Sequence, residues 1–265
     1  MKSLLKNWNT VKNHIKRYRY VLLCLDYDGT LTSIVRSPKR ALLADTTRRL
    51  LDKLSHEPRY IVCIVSGRSL KDVKKLVGLE GLIYAGNHGL ELEVPRLRFV
   101  IPRASETKPL LKRIADKLGS ELRDIPGSSV EDKGLSLSVH FRCVRRGDLQ
   151  RVKLIFEEIT RPYLLRGEIR IAGGKKVFEV RPPISWNKGK VVTWLLKRPA
   201  IMGKTEITLP IYVGDDLTDE DAFRALLGTG ITVYVGRPNT SSKAEYYLAN
   251  VREVKSFLRK LADLK

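Results

Sequence analysis

A chain of 265 residues can form one large domain or a core domain carrying a smaller one, and either leaves room for an enclosed site. Lys and Arg total 50 against 29 Asp and Glu, a formal net charge of +21 that attracts anions of any kind. The basic residues are spread from Lys2 to Lys265 without a long run, and aromatics do not interleave with them as base stacking requires, so a phosphorylated small molecule is the expected partner and nucleic acid is not.

The amino-terminal stretch Met1 to Arg19 is basic and polar with no long apolar leader segment, and no later stretch approaches a membrane span. A cytoplasmic protein without a membrane partner is expected. Within that stretch, Leu4 to Tyr18 is amphipathic and fits a helix that packs on the core or meets a partner; the oligomeric state is left open. Tyr20 to Leu25 is a continuous apolar run ending in Asp26, the pattern of a strand buried on both faces of a parallel sheet. Asp45-Thr46-Thr47 starts a helix with Leu50, Leu51 and Leu54 at helical spacing, and Pro58 precedes a second apolar run, Tyr60 to Val65. Ser66-Gly67-Arg68 follows that strand, Ser69 and Asp72 have the spacing of a helix cap, and Gly81 to Ala85 is a third strand. Cys24 and Cys63 fall inside the apolar runs, and with Cys143 they make an odd set without C-x-x-C spacing, so buried thiols are expected and neither zinc nor a disulfide framework is.

From Leu90 the style changes. Leu90 to Val94 and Arg98 to Ile101 alternate like a hairpin, Lys108 to Leu118 and Leu149 to Tyr163 read as helices, and Leu135 to Phe141, Glu168 to Ala172 and Lys176 to Val180 read as strands. After Pro182 and Pro183 the first pattern returns, with a helix from Lys188 to Leu196, a strand Ile211 to Val213, a helix Asp219 to Leu227 and a strand Thr232 to Val235. The expected fold is α/β, a doubly wound Rossmann-like core over 1–102 and 183–265 with an inserted α+β cap domain over 103–182.

Asp26 and Asp28 are separated by one residue at a strand end, so they point to the same side, into the crevice where open α/β sheets bind ligands. Taken alone, Asp-x-Asp-Gly is equally an ordinary turn. Ser66 ends the neighbouring strand with a hydroxyl that can donate to a phosphate oxygen. Lys188 stands at a helix start, where the dipole disfavours a cation and a ligand would account for it. Asp215 and Asp216 directly follow the strand Ile211 to Val213, and like charges so close are costly unless a cation joins them. Asp219 and Glu220 read as a solvated helix cap that needs no function. Carboxylates from two strand ends with water and phosphate oxygens describe an octahedral Mg²⁺ site, which would let an anionic carboxylate approach an anionic phosphoryl group.

Leu25-Asp26-Tyr27-Asp28-Gly29-Thr30-Leu31, Ser66-Gly67-Arg68, Lys188 and Gly214-Asp215-Asp216 resemble the four motifs of haloacid-dehalogenase-like (HAD) phosphatases. Gly86-Asn87-His88-Gly89, Glu131-Asp132-Lys133-Gly134, His140-Phe141-Arg142, Glu179-Val180-Arg181-Pro182 and Asp219-Glu220-Asp221-Ala222-Phe223 extend the likeness to the trehalose-6-phosphate phosphatases, from Leu22 to about Val251. The resemblance implies Asp26 as nucleophile and Mg²⁺ ligand, and Asp28 as general acid and then base, with its carbonyl on the metal. It further implies Asp215 as the third protein ligand, Asp216 acting through a metal-bound water, and Lys188, Thr30, Ser66, Gly67 and Arg68 around the phosphoryl group. A mobile cap would offer Glu131, Lys133, Arg142 and Glu179 to sugar hydroxyls; His140, between Val139 and Phe141, reads as a packed side chain. Related sugar phosphates, sucrose 6-phosphate and mannosyl-3-phosphoglycerate, are the alternative substrates, and a basic nucleic-acid-binding protein is the alternative from another class.

Overall fold

The computed structural model describes residues 1–35, 40–95, 97–174, 176–198 and 208–264. The chain forms two compact units, one from Met1–Phe99 with Trp186–Lys265 and the other from Val100–Ser185, so the second is spliced into the first.

The first unit opens with β1 (Lys2–Ser3), α1 (Trp8–Lys16) and β2 (Tyr20–Asp26), then continues through α2 (Asp45–His56), β3 (Tyr60–Val65), α3 (Leu70–Val77) and β4 (Ile83–Gly86) to a hairpin of β5 (Glu91–Val94) and β6 (Leu97–Val100). The second unit holds α4 (Pro102–Glu106), α5 (Lys108–Glu121), β7 (Ser129–Asp132), β8 (Leu137–His140), α6 (Leu149–Leu165), β9 (Arg170–Gly174) and β10 (Val177–Arg181). The chain then returns to the first unit as α7 (Lys188–Leu196), β11 (Thr208–Gly214), α8 (Glu220–Ala225), β12 (Ile231–Val235), β13 (Tyr246–Leu248) and α9 (Val251–Ala262).

Among the described residues, the sheet of the first unit has the order β1-β13-β12-β11-β2-β3-β4-β5-β6. It is parallel from β1 to β4 and turns antiparallel at β5. Alternation along β2 explains why its sequence is apolar throughout. Val21, Leu23 and Leu25 enter one core layer with Leu51 and Leu54 of α2 and Val254 and Phe257 of α9, while Leu22 and Cys24 enter the other with Val191 and Val192 of α7 and Phe223 of α8. Each such leucine contributes roughly 1.5–3 kcal/mol by leaving water, so the strand that carries Asp26 is anchored on both faces.

The amino-terminal stretch packs on this core: Leu4, Val11 and Ile15 are buried in the same layer as Leu23. Ser69 caps α3, its hydroxyl accepting from the Asp72 N–H at 3.2 Å, as the Ser-x-x-Asp spacing predicts. Cys24 and Cys63 are buried free thiols facing each other across β2 and β3, whereas Cys143 is exposed. The predicted hairpin extends the main sheet. The predicted helix 219–227 is shorter, with a 3₁₀ turn over Leu217–Asp219 and α8 stopping at Ala225. β1, α4, β7, β13 and α9 have no counterpart among the predicted elements.

Among the described residues, the second unit is a four-stranded antiparallel sheet, β7-β8-β10-β9, with helices on one face. Leu137, Val139 and Val180 face Leu111 and Leu118 of α5 and Val152 and Phe156 of α6. The alternate positions carry the polar residues.

Candidate active site

β2 lies between β11 and β3, with Leu25 opposite Val213 and Asp26 opposite Val65. This register sets Asp26 beside Asp215 on one side and Ser66 on the other, all at the carboxyl ends of parallel strands. Asp26 is 5 % exposed, Asp215 5 % and Ser66 1 %, so their charges and dipoles act across little water. Gly29 brings the two loops together. Its φ of +92° suits glycine, and a Cβ there would lie 2.3 Å from the Asp215 carboxyl carbon.

Lys188 begins α7 and is buried. Its Nζ donates to Asp26 Oδ1 at 2.6 Å and to Asp219 Oδ1 at 2.7 Å. The helix-start lysine thus answers to carboxylates of the chain itself. Burial opposes its charge, but Asp219 and Asp26 more than offset that and hold the ammonium above its ordinary range. Burial also pushes the Asp26 carboxyl well up; Lys188 pulls against this, and Asp219 and Asp215 add to it. Asp26 and Asp219 share one ammonium with the Asp215 carboxylate close by, a crowding of negative charge that favours a further cation.

Asp219 corrects the sequence reading. It was expected as a solvated cap; it is instead fully buried, and Glu220 is nearly so. Asp219 Oδ1 accepts from Lys188 Nζ and from the Tyr212 hydroxyl at 2.8 Å, while Oδ2 accepts the N–H groups of Asp215 and Asp216 at 3.0 and 2.9 Å. Asp26, Asp215 and Asp219 offer carboxylate oxygens within 4.8 Å of one another, a set that could hold a metal ion. Four donors already engage Asp219, which leaves Asp26 and Asp215 as the better ligands. Asp216, predicted beside the metal, is half-buried and caps the 3₁₀ turn, its Oδ1 accepting the Leu217 N–H at 2.7 Å. Tyr212, absent from the sequence expectations, and Asp219, read there only as a cap, complete the cluster. The available signal was a tyrosine in a strand otherwise buried and aliphatic, where a hydroxyl needs a partner.

Asp28 faces Arg68. Arg68 Nε donates to Asp28 Oδ2 at 2.6 Å and Nη2 to Oδ1 at 2.7 Å, with Nη1 on Asp72 Oδ2 at 2.8 Å. Arg68, expected around the phosphoryl group, is therefore engaged by two carboxylates of the chain and orients Asp28. Ser66 Oγ accepts the Arg68 N–H at 3.1 Å, which leaves its proton to donate elsewhere. Gly67 has no room for a side chain, since a Cβ would lie 2.6 Å from the His88 ring. Thr30 Oγ1 is buried and has no hydrogen-bond partner among the described residues, a burial that costs about 1–3 kcal/mol unless a ligand atom satisfies it.

In the second unit, Glu131 and Glu179 both pair with Ser138 across the strands, so they share a face. Lys133 Nζ donates to Glu179 Oε1 at 3.1 Å, Arg181 Nε donates to Glu179 Oε2 at 2.8 Å, and Glu131 Oε2 meets His140 Nε2 at 2.7 Å. Glu131, Lys133 and Glu179 thus gather on one face, whereas Arg142 follows β8 in an exposed turn. His140 is a polar member of this cluster, contrary to its expected packing role.

The family model for trehalose-phosphatase matches residues 24–252. The chain is 36 % identical to the trehalose 6-phosphate phosphatase RA3 of Zea mays, covering 93 % of this chain and 71 % of that protein. It is 32 % identical to trehalose-phosphate phosphatase B of Arabidopsis thaliana, covering 99 % and 71 %. The C-terminal domain of the trehalose-6-phosphate phosphatase of C. albicans superposes with a TM-score of 0.85 at 27 % identity, over 100 % of this chain and 99 % of that one. A haloacid dehalogenase-like hydrolase from Bacteroides thetaiotaomicron shares the fold at a TM-score of 0.63 and 16 % identity, over 91 % and 99 % of the two chains.

Proposed function

The chain belongs to the trehalose-phosphatase family, a family of phosphoric monoester hydrolases on the HAD-like fold, and from that premise we propose that it hydrolyses trehalose 6-phosphate to trehalose and phosphate through a phosphorylated Asp26, with Mg²⁺ as cofactor. The observation that carries this reading is the buried Asp26 carboxylate, flanked by Ser66 and Asp215 and bonded to Lys188 at 2.6 Å.

In the first half-reaction an Asp26 oxygen bonds to phosphorus as the bond from phosphorus to the sugar oxygen breaks, and Asp28 gives its proton to that leaving oxygen. In the second, the Asp28 carboxylate takes a proton from water as the water oxygen bonds to phosphorus, the bond to Asp26 breaks, and phosphate leaves. Lys188 and the hydroxyls of Thr30 and Ser66 supply charge and donors to the phosphoryl oxygens. The orphan Thr30 hydroxyl and the proton left to Ser66 support that role. Arg68 sets the starting orientation of Asp28.

The raised Asp26 and the carboxylate set fit a divalent cation. Asp26 and Asp215 would hold it, with the Asp28 carbonyl, and Asp216 would reach it through water. Bound there, Mg²⁺ neutralises charge so that two anions can meet. Glu131, Lys133, Glu179 and Arg142 are assigned to sugar hydroxyls. A site that pairs hydroxyls rejects analogues lacking them, because buried polar groups are then left unpaired.

Phosphate release across a panel of esters tests the assignment. Trehalose 6-phosphate should be turned over well ahead of sucrose 6-phosphate, mannosyl-3-phosphoglycerate and p-nitrophenyl phosphate. Equal turnover of the aryl ester would withdraw the substrate and keep the chemistry; no turnover of any ester with Mg²⁺ would refute the reaction.

A further inference from the structure

We infer that Tyr212 is a positioning residue, acting through Asp219 to fix Lys188 against Asp26. The inference rests on the proposed reaction for its kinetic consequence only. Tyr212 sits two residues before Gly214 on β11, so both face the same side of the sheet. Tyr212 offers its hydroxyl there and Gly214 offers a hollow, since a Cβ at Gly214 would lie 2.2 Å from the Asp219 carboxyl carbon. The Asp219 carboxylate lies in that hollow with all its donors supplied by the chain: Tyr212 and Lys188 on one oxygen, two backbone N–H groups on the other.

The lysine has little slack. A Cβ at Gly189 would meet the Asp221 carbonyl oxygen at 2.3 Å, so the first turn of α7 is pressed on the start of α8. The Tyr212 ring is fixed in turn, packed edge-on against Phe223 of α8 with centroids 5.9 Å apart. Lys188, Asp219 and Tyr212 therefore form one buried chain of donors and acceptors running from the nucleophile to the interior of the sheet. Without the hydroxyl, Asp219 Oδ1 keeps the ammonium as its remaining donor and can draw it away from Asp26. The ring packing would be unchanged, which makes Tyr212→Phe the informative variant.

Tyr60→Phe is the matched control: its buried hydroxyl donates to the Leu261 carbonyl at 2.9 Å, away from this cluster. Both variants should lose thermal stability, Tyr212→Phe the more because its acceptor is a carboxylate. Tyr212→Phe should lower kcat by about tenfold, the loss expected of one hydrogen bond to a charged acceptor, with KM little changed, whereas Tyr60→Phe should keep its kcat. In Asp219→Asn the further change Tyr212→Phe should cost much less than it does alone, because the two act as a unit. A readout that needs no turnover is the rate at which acetic anhydride labels Lys188, followed by peptide mass. It should rise severalfold in Tyr212→Phe and stay unchanged in Tyr60→Phe. Wild-type kcat or unchanged Lys188 labelling in Tyr212→Phe would overturn the inference. Were the wild type to hydrolyse no phosphate ester, the proposed reaction would fall, and the labelling would still decide whether Tyr212 positions the lysine.

Discussion

In the first unit the charges stand at the ends of parallel strands, nearly out of water, and are held by backbone N–H groups, a lysine and a tyrosine. In the second they stand on the polar face of an antiparallel sheet whose other face is packed on α5 and α6. The first arrangement fixes one carboxylate against one ammonium, as suits a reaction at a single atom. The second lays acids and bases side by side across three strands, as suits recognition of a hydroxyl-coated ligand. The difference implies that chemistry and selectivity can be damaged separately.

The largest effect is expected at the nucleophile. Asp26→Asn should lower turnover of every phosphate ester by roughly four orders of magnitude or more while leaving the circular dichroism spectrum intact; near-normal turnover would remove the covalent role. Lys188→Ala should follow, losing on the order of a thousandfold in kcat. It should also destabilise the fold by about 3–5 kcal/mol in urea unfolding, because Asp26 and Asp219 would remain as buried anions.

Chelation with EDTA should abolish activity and Mg²⁺ should restore it. At a metal concentration about 100-fold above its dissociation constant, Mg²⁺ should stabilise the fold by about 2.7 kcal/mol, read as a rise in Tm of several degrees that Asp215→Asn removes. The smallest effect is expected in the second unit. Glu179→Gln breaks the pairing with Lys133 and Arg181, and should cost roughly ten- to a hundredfold in kcat/KM for trehalose 6-phosphate with little change for p-nitrophenyl phosphate. Equal losses on both substrates would erase the distinction between the units.

The core strands were legible because burial on both faces leaves an unmistakable apolar run, as in β2 and β3. The returning strand β11 was legible for the same reason. α9 carries an equally clear signal, with Asn250 capping and Val254, Phe257, Leu258 and Leu261 at helical spacing, although it contributes no motif residue to the site. β1, two residues long, and β13, three, are too short for periodicity to mark. The placement of Asp26, Ser66, Lys188 and Asp215 could be foreseen because each ends a strand, directly follows one or starts a helix. Asp219 could not be separated from an ordinary cap, because its burial depends on a hollow at Gly214 and a hydroxyl at Tyr212, both supplied by a different element. The partnership of Arg68 with Asp28 was hidden for the same reason: the two lie 40 residues apart in sequence and meet only in the folded sheet.

The central claim is that Asp26 carries the phosphoryl group. Acid-quenching a single turnover of trehalose 6-phosphate within its first half-reaction, then digesting and weighing the peptides, tests it directly. The mass of one phosphoryl group should appear on the peptide containing Asp26 in the wild type and in Glu179→Gln, and disappear in Asp26→Asn. A phosphoryl group on any other residue, or phosphate released in full with no labelled peptide at any quench time, would contradict it.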